Sequence, residues 1–335
     1  MGQGDATLIK CDGHSMLIDA GNNDKGTLVQ NYLQHQGVET LDYVIGTHPD
    51  ADHIGGMDVV LYKFDCKTII MPDVANNTRT YDDVVQTMKN KGYKTTYPVV
   101  GETYTIGGAA FTIIAPNKEY GNDMNSWSVG VLLQNGNHRF LFTGDAEEGA
   151  EQDILQNGID ISADVYKVAH HGSNTATSQA FLDAVHPTYA VISAGEGNSY
   201  GHPHAEVLNR LRAAGVSVFR TDEQGTIVAA SDGTTLTWNM SPSESWQAGE
   251  AKKSQDTDKS EKSTDSQNNA ETDAAVSNPT DQTDGNSDVI VHITKTGEKY
   301  HSAGCQYLRQ SDIEVTLSEA KARGLTPCSK CNPPQ

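Results

Sequence analysis

The residues best suited to chemistry lie between Thr47 and Gly56, where His48, Asp50, Asp52 and His53 place two imidazoles and two carboxylates within six residues. Nitrogen and oxygen ligands of these kinds hold divalent cations, and a set this dense suits two ions better than one. Pro49 and the pair Gly55-Gly56 predict a non-helical turn able to aim the four side chains inward. Alone, the stretch also reads as a solvated acidic turn with two surface histidines. Against that, the chain later supplies Asp145, after Phe142-Thr143-Gly144, and the pair His170-His171, after 165–169, each again at the end of an apolar run.

Strands must carry these groups to their ends. A strand over 41–46 feeds the central stretch, one over 138–143 ends at Gly144-Asp145, and one over 164–169 delivers His170 and His171. Around them, 6–10 and 15–19 read as a hairpin about Asp12-Gly13. A helix over 26–36 presents Leu28, Val29, Tyr32 and Leu33 on one face. A second over 81–91 turns Val84, Val85 and Met88 inward, and Gly37 and Gly92 stop the two. Hairpins at 104–114 and 129–143, helices at 178–185 and 204–214, and strands at 67–71, 189–193 and 217–221 complete an α/β pattern.

Six segments follow one another: Gly2-Gln3-Gly4-Asp5-Ala6, Leu17-Ile18-Asp19-Ala20-Gly21, the central stretch, Phe142-Thr143-Gly144-Asp145-Ala146, Lys167-Val168-Ala169-His170-His171-Gly172-Ser173 and Asn198-Ser199-Tyr200-Gly201-His202-Pro203. In that order they resemble the metallo-β-lactamase fold, and most closely the hydrolase-like domain of the ComEC competence proteins and their free-standing secreted relatives. The resemblance covers residues 1–240. It implies a four-layer αββα sandwich with a dinuclear site held by His48, Asp50, Asp52, His53, Asp145 and one of His170 and His171, Asp145 bridging the ions. Spacing leaves the choice within the His pair open; His171 is preferred as ligand, which leaves His170 to support the ligands, for acid–base work, or as a satisfied core histidine.

Two departures from the wider zinc pattern bear on the metal. Asp50 stands where the second His of His-x-His-x-Asp-His is usual, and Asn125 stands where a further His is expected. Oxygen ligands in place of imidazoles make one position harder and favour Mn²⁺ or Mg²⁺ over Zn²⁺; the expected cofactors are two divalent ions, Mn²⁺ or Zn²⁺. Such a pair activates water and clamps the oxygens of a phosphodiester. Asp52 fits as ligand and as orienter of that water. His202 is a candidate to contact a phosphate oxygen or protonate the leaving group, or a structural His before Pro203. Lys167 is a candidate to support the site or the substrate but reads more readily as a strand lysine facing solvent, and Asn198 and Ser173 are weak candidates of the same sort.

Composition divides the chain. Residues 241–288 hold eleven Asp and Glu against four Lys, set among Ser, Thr, Asn, Gln and Gly, and read as a disordered linker of net charge −7. Residues 289–335 carry net +2, so from −20 overall the body keeps −15. An acidic body does not gather polyanions by its general field. In the tail, His301, Cys305, Cys328 and Cys331 supply four ligands suited to tetrahedral Zn²⁺ in a module too small to fold comfortably unaided. A Cys328–Cys331 disulfide is the alternative. Cys11 and Cys66 complete a count of five that makes no disulfide framework.

No apolar stretch is long enough to span a membrane, and no signal peptide opens the chain. In the resembled family an apolar strand precedes Gly-Gln-Gly-Asp, so the start reads as truncated. An extracellular or cell-surface location is expected from the resemblance alone. The leading functional expectation is a metal-dependent phosphodiesterase or nuclease acting on DNA, as in competence and DNA uptake. A secreted hydrolase of small esters, such as choline-phosphate on a cell-wall polymer, is the second, with the tail contacting an anionic polymer. A non-catalytic surface-binding protein is the third.

Overall fold

The computed structural model describes residues 2–249, 290–294, 299–301, 308, 313–322, 325–328, 330 and 331. Cys305 and the expected linker from residue 250 onward lie outside the described residues.

The first half of the chain builds a five-stranded sheet in sequence order. β1 (Thr7–Cys11) and β2 (His14–Ile18) form the expected hairpin, α1 (Gly26–His35) crosses over, and β3 (Thr40–Ile45) returns parallel to β2. After α2 (Ala51–Ile54) and α3 (Met57–Lys63), β4 (Asp65–Ile70) pairs parallel to β3. Then α4 (Arg79–Lys91), capped by Thr78 and stopped by left-handed Gly92, leads to the short parallel β5 (Thr95–Thr96).

The second half repeats the plan. An antiparallel meander of β6 (Thr103–Ile106), β7 (Ala109–Ala115), β8 (Gly130–Asn135) and β9 (His138–Phe142) leads through α5 (Glu148–Gln156) to β10 (Val165–Lys167). Next come α6 (Gln179–Val185), β11 (Tyr189–Ile192), α7 (Ala205–Ala213) and β12 (Ser217–Arg220). The strands β9 to β12 run parallel, and the sheet order is β12-β11-β10-β9-β8-β7-β6. A short α8 (Thr221–Gln224) and a hairpin of β13 (Ala229–Ser231) and β14 (Leu236–Trp238) follow.

The side-chain period of two sets the layers. Met16 and Ile18 point between the sheets, against Phe111, Ile113, Val131 and Leu133, whereas Leu17 points outward onto Val29, Leu33, Val60 and Val84 of the helices. On the far side, Leu141, Tyr166 and Ala190 meet Ile154, Phe181, Leu182, Val207 and Leu211. Helix, sheet, sheet and helix thus form the expected αββα sandwich. Each such aliphatic side chain taken fully out of water contributes about 1.5–3 kcal/mol. Leu28 and Tyr32, expected to share one face with the buried Val29 and Leu33, and Val85, expected inward, are exposed, because a helix covering only one face of a sheet buries a narrower stripe than their spacing suggested.

The central stretch corrects a second expectation. It is helical from Ala51, with Asp50 in extended backbone at its start, and Gly55 keeps helical backbone. The two glycines are required for close approach instead. A Cβ on Gly55 would press into Ala51 O and Asn23 N, and one on Gly56 into Ala20 O and the backbone of Gly26.

Residues 241–249 run against the body. Ser243 N donates to Val218 O (2.7 Å), Gly249 N to Pro203 O (2.9 Å), and the buried Arg220 donates through Nη1 to Gln247 O (2.6 Å). Trp246 packs on the outer core with the Arg212 guanidinium 5.6 Å from its ring centre.

A separate unit carries the tail. Its strands β15 (Ile290–Ile293), β16 (Lys299–His301) and β17 (Ile313–Thr316) are followed by α9 (Leu317–Ala322) and β18 (Thr326–Pro327), in the order β17-β15-β16-β18. Val291, Ile293, Tyr300, Val315, Leu317 and Ala320 form its core. Among the described residues no helix is long and apolar enough to cross a membrane.

Candidate metal centre

Acids and histidines collect at the carboxyl ends of the parallel strands, where open α/β sheets present their loops. β2 runs into Asp19, β3 into Thr47-His48 and, one turn later, Asp52 and His53, β9 into Asp145, and β10 into His170 and His171. Asp145 is the meeting point. Its Oδ1 lies 3.1 Å from His53 Nε2, and its Oδ2 lies 3.3 Å from His171 Nε2, which is 3.4 Å from Asp52 Oδ2. The His48 and His53 rings stand 4.1 Å apart, and His48, His53 and Asp145 each bring a ligand atom within 4.8 Å of the others.

Each imidazole is held from behind. His53 Nδ1 meets Asp19 Oδ2 at 2.7 Å, His171 Nδ1 meets Ser193 O at 2.9 Å and Asp5 Oδ1 at 3.4 Å, and His48 Nδ1 faces Thr47 Oγ1 and Ser128 Oγ at 3.1 and 3.3 Å. With Nδ1 engaged, each ring turns Nε2 toward the cluster. There His48 Nε2, His53 Nε2, His171 Nε2 and Asp145 Oδ1 are buried without a hydrogen bond. Buried polar atoms left unsatisfied are costly and uncommon, and four converging on one place fit divalent cations. Orientation of a ligating His by a carboxylate is the arrangement such sites use.

The charge balance says the same. Burial opposes ionisation of Asp145, yet His171 and His53 beside it hold its carboxyl well below the ordinary value. Burial likewise opposes charge on His53 and His171; Asp145, with Asp19 for the one and Asp5 for the other, outweighs it and raises both. Burial and the neighbouring His53 push His48 down to about 3, leaving a neutral imidazole. Without metal, protons on His53 and His171 supply the positive charge that the carboxylates demand.

Asp19 and Asp5 were not among the residues singled out from sequence. Asp19 is buried, in left-handed backbone (φ 59°), and also accepts from Thr47 N and Oγ1 at 2.8 Å. An acid directly after the apolar run Met16-Leu17-Ile18 repeats the signal that marked Asp145. Asp19→Ala is expected to weaken Mn²⁺ binding by about 10–100-fold, read by calorimetric titration; unchanged affinity would show that Asp19 does not orient His53. Lys167, expected at the surface, is buried, with Nζ 2.7 Å from Asp5 Oδ2. Alternation along a strand cannot reveal this, because the strand lies between two parallel neighbours in the middle of its sheet.

The other candidates stand around the cluster. Asp50 Oδ2 is 3.8 Å from His48 Nε2, with Oδ1 accepting from Asn76 Nδ2 (3.0 Å), and its carboxyl pKa is raised by burial and by Asp52. His170 Nε2 is 3.7 Å from Asp145 Oδ2, and its Nδ1 is 3.3 Å from Glu147 Oε1, which also accepts from Asn125 Nδ2 (3.1 Å). β10 ends at Lys167, and His170 and His171 both take left-handed backbone, with φ of 48° and 54°. That turn separates the two rings. Such backbone costs on the order of 1–3 kcal/mol per residue and clusters at functional sites.

His202 is buried, and Gln3 fixes its tautomer. Gln3 Oε1 accepts from Gly195 N (3.2 Å), so its Nε2 is the group facing His202 Nδ1 (3.0 Å) and donates to it. The ring hydrogen of neutral His202 therefore sits on Nε2. Burial, then His171 and His204, lower its pKa to about 4, so it is neutral at neutral pH.

In the tail unit, His301, Cys328 and Cys331 bring ligand atoms within 4.8 Å of one another, and Lys330 N donates to Cys328 Sγ (3.5 Å). Three ligands of the expected zinc set thus meet among the described residues.

The family profile described as "Metallo-beta-lactamase superfamily" matches residues 1–196. The chain belongs to the metallo-beta-lactamase superfamily. Among curated relatives of this superfamily member, "ComE operon protein 3" of Bacillus subtilis is 33% identical over 196 residues, 58% of this chain and 25% of the relative. "Recombination protein 2" of Haemophilus influenzae is 32% identical over 232 residues, 68% of this chain and 27% of the relative. "Competence protein ComA" of Neisseria gonorrhoeae is 29% identical over 228 residues, 68% of this chain and 30% of the relative. The chain therefore spans only a quarter to three tenths of the length of these proteins. It is a metallo-beta-lactamase superfamily member similar to proteins named for competence.

Proposed function

We propose that the protein is a metal-dependent phosphodiesterase acting on DNA. The observation that carries the reading is the convergence of unpartnered buried atoms from His48, His53, His171 and Asp145, with Asp52 beside them. These five residues would hold two divalent ions, with Asp50 at the rim of one position and Mn²⁺ favoured by the oxygen content of the set. Bound there, the ions supply Lewis acidity toward water and toward the oxygens of a phosphodiester.

The chain's own groups do the rest. Asp52, partly accessible and with His171 Nε2 3.4 Å from its Oδ2, keeps its carboxyl ionised against burial and can accept a hydrogen bond from the attacking water. His202, neutral with its hydrogen on Nε2, suits a hydrogen bond to a phosphate oxygen better than protonation of the leaving group. His170, more open than His171 and backed by Glu147, is the better proton donor to that group. Relatives named for competence and for recombination support DNA as the substrate. They also support action on DNA outside the cell. We assign one Zn²⁺ to the tail unit, held by His301, Cys328 and Cys331, with Cys305 as the expected fourth ligand.

The test offers the full chain linear DNA, plasmid DNA and bis-p-nitrophenyl phosphate with Mn²⁺, Mg²⁺ or Zn²⁺, beside Asp52→Ala. Cleavage of both DNA forms with Mn²⁺, lost in the variant, is the expected result. Cleavage of the small ester alone would overturn DNA as substrate in favour of a small-phosphoester hydrolase.

A further inference from the structure

Three rings stand nearly parallel in a column that starts in the metal centre. His171 and His202 are 6.1 Å apart at 23°, and His202 and Tyr200 are 5.5 Å apart at 17°. The first two are buried, but Tyr200 is 63% exposed, so one face of its ring rests on His202 and the other is open to solvent. Large exposed aromatics occur elsewhere, at Tyr32, Tyr62 and Tyr97, and among the described residues none of these stacks on another ring.

The loop holds Tyr200 in place. Asn198 Oδ1 accepts from both Tyr200 N (3.1 Å) and His202 N (3.0 Å), and its Nδ2 donates to Gly195 O and His202 O. Gly201 takes left-handed backbone (φ 76°), which turns the chain between the two rings. A tyrosine fixed this way gives up little entropy when a flat ligand covers it.

We propose that Tyr200 is the base platform of the site: an unpaired nucleobase next to the phosphodiester stacks on its open face, making single-stranded nucleic acid the favoured substrate. The proposal rests on the reading of the site as acting on DNA and adds the form of DNA it takes. Stacking is needed here because the field is unhelpful. The body is acidic, so little affinity comes from tracking the phosphate backbone, and the metal centre and aromatic stacking must supply it. A base inside a duplex already stacks on its neighbours and has no face to offer.

The experiment uses the full chain, Tyr200→Ala and Tyr200→Phe, whose exposed position spares the fold. A single-stranded oligonucleotide carrying 2-aminopurine is titrated in EDTA, and its fluorescence quenching reports stacking without metal or turnover. With Mn²⁺, KM and kcat are measured for single strand, duplex and bis-p-nitrophenyl phosphate. Tyr200→Ala is expected to lose the quenching and raise KM for the single strand about tenfold or more, with the small ester unchanged and Tyr200→Phe close to the original chain. Quenching and KM unchanged in Tyr200→Ala, or a duplex taken as well as the single strand, would overturn the platform while leaving the nuclease reading intact. Failure of the original chain to bind or cleave any oligonucleotide would overturn both. A defect of Tyr200→Ala confined to p-nitrophenylphosphorylcholine would reassign the ring to a quaternary ammonium and overturn the nucleobase.

Discussion

Asp145→Ala is expected to reduce Mn²⁺-dependent phosphodiester hydrolysis by about a thousandfold or more, on the order of 4 kcal/mol of barrier. The carboxylate stands between His53 and His171 and within 3.7 Å of His170, so no other group can take its place. Its removal also changes the protonation of the centre. Asp145 is the largest influence raising both imidazoles against burial, so without it burial prevails and His53 and His171 become neutral more readily. In the original chain those protons must leave when metal enters. Because the two folded-state pKa values are raised above 6.5, the protons persist to higher pH than on ordinary histidines. Mn²⁺ affinity is then expected to rise with pH until both rings are free and to fall in mild acid. Titrations across pH 6–8, with proton release followed in buffers of different ionisation enthalpy, test this. Uptake without proton release would contradict the arrangement.

Lys167→Met is expected to destabilise the body by about 3–5 kcal/mol, the cost of leaving one member of a buried ion pair alone. Lys167 and Asp5 are both buried, 2.7 Å apart, and Asp5 reaches His171 with its other oxygen. Burial alone would raise the Asp5 pKa; Lys167 and His171 overcome it and hold the carboxyl well below its ordinary value. A depressed folded-state pKa contributes stability above the unfolded value, near 4. That stability is lost only as pH falls through the folded value, so the pair resists mild acid. Removing both charges, as in Asp5→Asn with Lys167→Met, is expected to cost less than Lys167→Met alone. Urea unfolding curves of the single and double variants decide it. A loss below about 1 kcal/mol in Lys167→Met would mean that the lysine reaches water.

The candidate ligands were legible in the sequence because each is local: a His or Asp in the segment that follows an apolar strand run, with the strand's direction carrying it to one edge of the sandwich. His48, Asp52, His53 and Asp145 all carry that signal, and the structure brings them together with His171. What supports them is not local. Gln3 reaches His202 across 199 residues, a contact between the two halves of the sandwich, and Asp19 reaches His53 across 34, a contact that exists only once β2 and β3 have paired. Lys167 misled because a charged residue in a short strand reads as surface until its buried partner is known. The glycines of the central stretch read as turn formers, whereas their need is the close passage of the backbones of Ala20, Asn23 and Gly26. The boundary at 240 was set by composition, which cannot register that Trp246 and Gln247 still pack on the body.

The most direct test of the account is metal add-back to the full chain stripped with chelator, followed by hydrolysis of bis-p-nitrophenyl phosphate as Mn²⁺ is returned. The account predicts no turnover in the stripped chain, activity that climbs with Mn²⁺ and saturates once two ions occupy the site around Asp145, and neither response in Asp145→Ala. Full turnover in the presence of chelator, or none with Mn²⁺, Mg²⁺ or Zn²⁺, would contradict it.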